Sequence, residues 1–121
     1  MNRFIVGPVE ELPPGSRKIV RVAGREIGIF NVGGEFFALR NVCPHMGAPI
    51  CRGRTRPYVS WDESAGTTPD QIAFHREGEI LKCPWHLWEF DLRTGQSMHD
   101  ETLQVRTYNV TQEGQTIVLY L

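Results

Sequence analysis

Glycine cuts the segment RKIVRVAGREIGIFNVGGEFFALRNV into three short runs of β-branched and aromatic residues, at Gly24-Arg25 and at Gly33-Gly34. Two-residue, glycine-bearing connections between apolar runs are hairpin turns, because glycine adopts the left-handed backbone they need without steric cost. The spacing predicts strands at roughly 18–22, 26–32 and 35–39, joined as a meander. Towards the other end, LQVRTYNV and QTIVLYL flank TQEG as a further hairpin, with β-branched and aromatic residues in both arms. Helical periodicity is weak throughout. The segment EELPPG has room for a single turn, since Pro13 and Pro14 stop anything longer. The expected fold class is all-β, an antiparallel sandwich or small barrel, with one long excursion between its hairpins carrying the chemistry.

At 121 residues the chain fits one domain with its own core, and is too short to add a separate catalytic domain. A net charge of -1 with acids and bases interspersed excludes the basic stripe that tracks nucleic acid and the polybasic segment that binds membranes. No apolar run approaches the roughly 18 residues of a spanning helix. The start, MNRFIVGPVEELPPG, meets proline and acid too soon for a signal peptide. These features predict a soluble, cytoplasmic protein whose partners are chosen by local surface, with oligomerisation open. Three cysteines at wide, unequal spacing do not make a disulfide framework, and in a reducing compartment metal binding is the favoured use.

Two short stretches concentrate that chemistry. NVCPHMGAP places Cys43 two residues before His45, and LKCPWHLWEFD places Cys83 three residues before His86. A zinc finger normally contributes its cysteines as one close pair and its histidines as another; here each loop offers one thiolate and one imidazole. Two mixed loops suit a two-metal cluster, in which one metal takes both sulfurs and the other both nitrogens. A single zinc held by the same four side chains uses the same set.

The residues CPH at 43–45, GAP at 47–49, CPWH at 83–86 and WEFDLRTGQ at 88–96 resemble the cluster loops of Rieske [2Fe-2S] proteins, in particular the small Rieske ferredoxins of bacterial oxygenase systems. The likeness is densest over 41–96. It implies a Rieske-type β-sandwich or small barrel with a cluster-binding subdomain of two loops, filling a single domain over 1–121. It implies a [2Fe-2S] cofactor, with Cys43 and Cys83 binding one iron as thiolates and His45 and His86 binding the other through ring nitrogens. Two neutral imidazoles in place of two thiolates leave the oxidised site formally neutral. An added electron then meets less repulsion, and potentials lie between roughly -150 and +300 mV. Where high-potential relatives carry an extra cysteine pair and hydroxyl donors to the sulfurs, this chain has Ala48, Trp85, Trp88 and Phe90, which implies the lower part of that range.

Neighbouring residues are read in the same frame. Gly47 lets the backbone pass close to the cluster, and Pro44 and Pro84 stiffen the two loops. Trp61, Trp85 and Trp88 are expected to exclude water by packing rather than to conduct electrons. Cys51 is expected as a free thiol, and His75 and His99 as surface or loop residues.

The sequence departs from the family in two places. Between His45 and Cys83 lie 37 residues, more than relatives use, so an insertion is placed at about 54–79. Its segments RPYVSW and QIAFH are expected to pair as a lengthened surface hairpin that shapes a docking surface for a redox partner or second subunit. Leu87 stands where relatives most often have glycine, and a positive φ there would strain a leucine.

The function implied is one-electron transfer from a reductase to a terminal oxygenase or similar enzyme, with no catalytic residue of its own. An oxygenase needs a further mononuclear iron site of histidines and a carboxylate on another domain. The alternatives are a small Rieske subunit of a larger oxidoreductase such as nitrite reductase, or a structural Cys2His2 zinc or redox-sensing module.

Overall fold

The computed structural model describes residues 2–44, 47–61, 72–84, 88–98, 100 and 102–121, and along 56–61 and 72–79 the backbone alone. Nine strands account for most of it: β1 (Arg3–Pro8), β2 (Arg17–Val22), β3 (Arg25–Val32), β4 (Glu35–Arg40), β5 (Thr55–Trp61), β6 (Ile72–Lys82), β7 (Glu89–Asp91), β8 (Thr107–Glu113) and β9 (Thr116–Tyr120). Helix is limited to single 3-10 turns at Val9–Glu11 and Ile50–Arg52 among the described residues. None is long and apolar enough to cross a membrane.

The strands form a six-stranded antiparallel sheet in the order β1-β9-β8-β4-β3-β2 and a three-stranded sheet in the order β5-β6-β7. The chain leaves the larger sheet at the end of β4 and re-enters it beside the same strand. β4 pairs with β8 at Ala38↔Tyr108 and Leu39↔Thr107, and the Arg40 N–H donates to the Arg106 carbonyl at 2.9 Å. Everything between is one excursion, closed at its neck, and the smaller sheet lies inside it.

Two cores follow from this arrangement. Leu12, Ile27, Ile29, Ala38, Ile117 and Leu119 fill the base. Phe30, Leu39, Ile50, Cys51, Leu81, Phe90, Leu92 and Val105 fill the space between base and excursion, together with Cys43 and Cys83. The meander is the wall between the two. Because side chains alternate along a strand, Ile27 and Ile29 of β3 face the base core while Phe30 faces the other, so residues 27–31 are buried without interruption. Each such Ile or Phe contributes about 1.5–3 kcal/mol by leaving water.

The expected meander is present with one shift. The first turn falls at Ala23-Gly24, since Val22 pairs with Arg25, and Ala23 itself takes a positive φ of 52°. The second turn is at Gly33-Gly34, with Val32 opposite Glu35. The last hairpin turns at Gly114-Gln115, at the end of TQEG, because Glu113 pairs with Thr116; residues 103–106 belong to the returning chain and not to β8. The short strands foreseen in the insertion pair as β5 and β6, and β6 continues to Lys82. Strands β1 and β7 have no counterpart in the sequence reading. β1 exists through its pairing with β9 at the opposite end of the chain, and β7 is three residues carried by β6.

Gly28 sits on β3 where Cys51 of the excursion packs against it. A Cβ there would lie 2.5 Å from both Cβ and Sγ of Cys51, well inside van der Waals contact. Gly28→Ala is expected to lower stability by about 1–3 kcal/mol through overpacking. Thermal unfolding followed by circular dichroism measures the loss. Adding Cys51→Gly, which removes both atoms the new methyl meets, recovers part of it, so the pair is coupled in a double-mutant cycle.

Candidate functional site

The loop that follows β4 is fixed at both ends by one buried residue, through its backbone at one end and its side chain at the other. The Asn41 N–H donates to the Glu26 carbonyl at 2.8 Å, and the Asn41 Oδ1 accepts from the Cys51 N–H at 2.7 Å. Inside that bracket the Cys43 N–H donates to the Ala48 carbonyl at 2.8 Å, and the Gly47 N–H to the Cys43 carbonyl at 2.7 Å. Gly47 has a φ of 76°, in the left-handed region where glycine carries no Cβ penalty. Its part is therefore to turn the loop back on itself. That is a more definite role than the close passage expected of it.

The second loop is the connection of the β6–β7 hairpin. Lys82 pairs with Glu89, and the Cys83 N–H donates to the Trp88 carbonyl at 2.6 Å. Both loops are thus closed by the same bond, from a cysteine N–H to the carbonyl five residues on. The two thiols lie at equivalent roots. Cys43 and Cys83 are 1% and 0% exposed, are not joined in a disulfide, and share one core with Ala48, Ile50, Leu81 and Phe90. His45 and His86, the two imidazoles assigned with them, lie outside the described residues, as do Trp85, Leu87 and His99. For His75 and Trp61 only the backbone is described. Trp88 is half-buried and packs against the core that holds both thiols, as expected of a packing residue.

The stretch WEFDLRTGQ forms a tight turn beneath the second loop. The Gly95 N–H donates to the Asp91 carbonyl at 2.7 Å and the Asp91 N–H to the Gln96 carbonyl at 2.9 Å. Gln96 Nε2 reaches the Leu103 carbonyl at 3.0 Å, which ties this turn to the returning chain. Phe90 and Leu92 are buried under the cysteines. This part of the motif supports the site from below.

Two further residues hold the site and carry no motif signal. Arg17, at the start of β2, donates to the Cys51 carbonyl at 3.0 Å and to the Gly53 carbonyl. Its guanidinium lies 5.2 Å from the Phe30 ring centroid, a cation–π distance. Burial lowers its pKa from the usual arginine value. Asn41 is the other, and a polar residue placed between a predicted strand and Cys43 is the one local hint of it. Arg17 had none, because the carbonyls it binds lie 34 and 36 positions away.

Cys51 is a free, buried thiol, as expected. Its S–H donates to the Leu39 carbonyl at 3.5 Å. Burial pushes its pKa up to about 12, against smaller opposing effects of a backbone hydrogen bond and of Arg17. It stays protonated near neutrality and offers neither a thiolate nucleophile nor a ready metal ligand.

The sequence matches the family model of the Rieske [2Fe-2S] domain over residues 2–109. It is 30% identical to the ferredoxin component of the naphthalene 1,2-dioxygenase system of Pseudomonas aeruginosa, across 92% of this chain and 88% of that protein. It is also 30% identical to the 3-phenylpropionate/cinnamic acid dioxygenase ferredoxin subunit of Escherichia coli strain K12, across 100% of this chain and 95% of that subunit. Among solved structures it is similar to the ferredoxin of carbazole 1,9a-dioxygenase from Nocardioides aromaticivorans IC177. The TM-score is 0.72 at 27% identity, with 98% of this chain and 97% of that one covered.

The raised pKa of Cys51 makes stability depend on pH in a stated direction. An unfolded thiol titrates near 9.0, so the native state binds the extra proton between there and about 12. The contribution is complete below pH 9 and is lost as pH rises through that window. Relative to Cys51→Ala, the wild-type chain is expected to lose up to about 1.4 kcal/mol per pH unit across it. Unfolding midpoints of both proteins from pH 8 to 10.5 check the slope.

Proposed function

The chain belongs to the family of Rieske [2Fe-2S] domains, and from that premise we propose that it carries single electrons from a reductase to a terminal oxygenase or similar enzyme. It is an electron-transfer component and not the catalyst, in keeping with relatives that are ferredoxin components of dioxygenase systems. We assign the cofactor to Cys43, Cys83, His45 and His86. The whole of 1–121 is read as one Rieske domain with an insertion at about 54–79, working in the cytoplasm.

The observation that carries this reading is the pair of buried, unlinked cysteines at the roots of two loops closed by the same hydrogen bond. That donor set suits a group taking one thiolate from each side. When bound, the [2Fe-2S] cluster supplies a one-electron couple. The chain supplies the rest. Backbone hydrogen bonds seat Cys43 and Cys83 on opposite loops, and the Asn41 and Arg17 side chains brace the first of them. Ala48, Phe90 and Leu92 keep water from them. No hydroxyl stands at Ala48, Trp88 or Phe90 to stabilise added negative charge on sulfur, which favours a low potential within the family.

Anaerobically purified protein is expected to hold about two irons per chain and to give an anisotropic EPR signal on dithionite reduction. Its midpoint falls in the lower part of the range of roughly -150 to +300 mV. Cys43→Ser, Cys83→Ser, His45→Leu and His86→Leu each abolish the signal, while Cys51→Ser keeps it. A colourless protein with stoichiometric zinc overturns the electron-transfer reading, and a midpoint well above zero overturns the inference from the missing hydroxyls.

A further inference from the structure

Where the excursion leaves the first loop, its backbone is pressed against the end of β6. A Cβ at Gly53 would lie 1.6 Å from the Lys82 carbonyl oxygen, and the Lys82 N–H donates to the Arg54 carbonyl at 2.8 Å. Only glycine permits that approach. It brings positions 52, 54 and 82 around one surface groove of about 220 Å³, lined by Arg52, Gly53, Arg54, Lys82, Cys83 and Pro84.

The groove is lined by three basic residues and by no carboxylate among the described residues. Most other basic residues with described surroundings have structural partners. Arg3, Lys18 and Arg93 pair with carboxylates, and Arg17, Arg93 and Arg106 lie over aromatic rings. Arg52, Arg54 and Lys82 take part in no ion pair or ring contact among the described residues. Glu89 is the acid nearest in register, opposite Lys82 across β6–β7. In a chain whose net charge is -1, three basic residues lining one groove with a single acid in register beside them make a local positive excess that an acidic surface can meet.

Cys83 lines this groove, which places the positive charge at the root of the second loop, next to the assigned redox centre. We propose that the groove formed by Arg52, Arg54 and Lys82 receives an acidic surface of the redox partner protein, steering it to the cluster end. This rests on the electron-carrier reading. A carboxylate-bearing surface gains charge-assisted hydrogen bonds to the guanidiniums and brings its own redox centre towards the Cys83 loop.

The test uses the iron-loaded protein and a variant neutralised at all three positions, Arg52→Gln, Arg54→Gln and Lys82→Gln. Three Gln substitutions at exposed or half-exposed positions leave the EPR signal in place, which shows that the variant is folded and loaded. A fluorescent poly-L-glutamate peptide serves as the acidic probe. Its binding to the wild type is expected to weaken as salt rises, and at low salt to be at least about fivefold tighter than to the variant. Reduced wild-type protein is oxidised by anionic ferricyanide at a rate that falls with salt, and by cationic tris(phenanthroline)cobalt(III) at a rate that rises. Both trends flatten in the variant. Equal peptide binding by the two proteins, or salt trends that do not change, overturns the proposal while an intact EPR signal leaves the electron-carrier reading standing. Displacement of the peptide by inorganic phosphate far more effectively than by chloride at equal ionic strength also overturns it, by making the groove a small-anion site. Absence of the EPR signal from the wild type fails the carrier reading instead.

Discussion

Burial of β3 on both faces is the constraint from which the rest of this molecule follows. A strand with one wet face can alternate freely between apolar and polar residues, but β3 has to satisfy a core on each side. Ile27 and Ile29 serve the base. Phe30 serves the excursion, and Gly28 leaves room for Cys51. The excursion therefore does not hang from the sheet by its neck alone. It is packed onto the wall, bracketed by Asn41 and clamped by Arg17. The loop that presents Cys43 takes its position from all three.

The two thiols reach the same core by different routes. The first loop is an irregular segment held by side-chain struts, whereas the second is a hairpin connection that inherits its position from β6 and β7. Their common closure, from a cysteine N–H to the carbonyl five residues on, gives each cysteine a backbone-fixed seat. A carrier that cycles between two charge states benefits from such seats, since a preorganised site has less to rearrange when charge changes.

Much of this was legible in the sequence because it is local. Glycine pairs mark the meander turns, and the mixed Cys–His spacing marks the loops. The first turn moved by one residue because pairing of Val22 with Arg25 forces Ala23, not Arg25, into the left-handed region, and local propensity favours neither. β1 was invisible because it is made by β9, 108–117 residues further along the chain. Arg17 was invisible for the same reason. The sequence marked Cys51 as an unpartnered cysteine and could not show that Gly28 exists to accommodate it. Long-range contacts leave little imprint on the residues that make them.

The β5–β6 hairpin is not one continuous ladder. Thr55↔Leu81 and Arg56↔Ile80 are in register next to the site, after which pairing resumes at Tyr58↔His75, with surplus residues of β6 opposite Pro57. Proline, which has no N–H to give, is well suited to such a break. The break divides the arm into a root that belongs to the second loop and an outer part with its own register. Length and composition beyond Pro57 can thus drift over evolutionary time without reindexing the strand that leads into Cys83, so the arm is a place where a lineage can add recognition features while its redox chemistry stays in place.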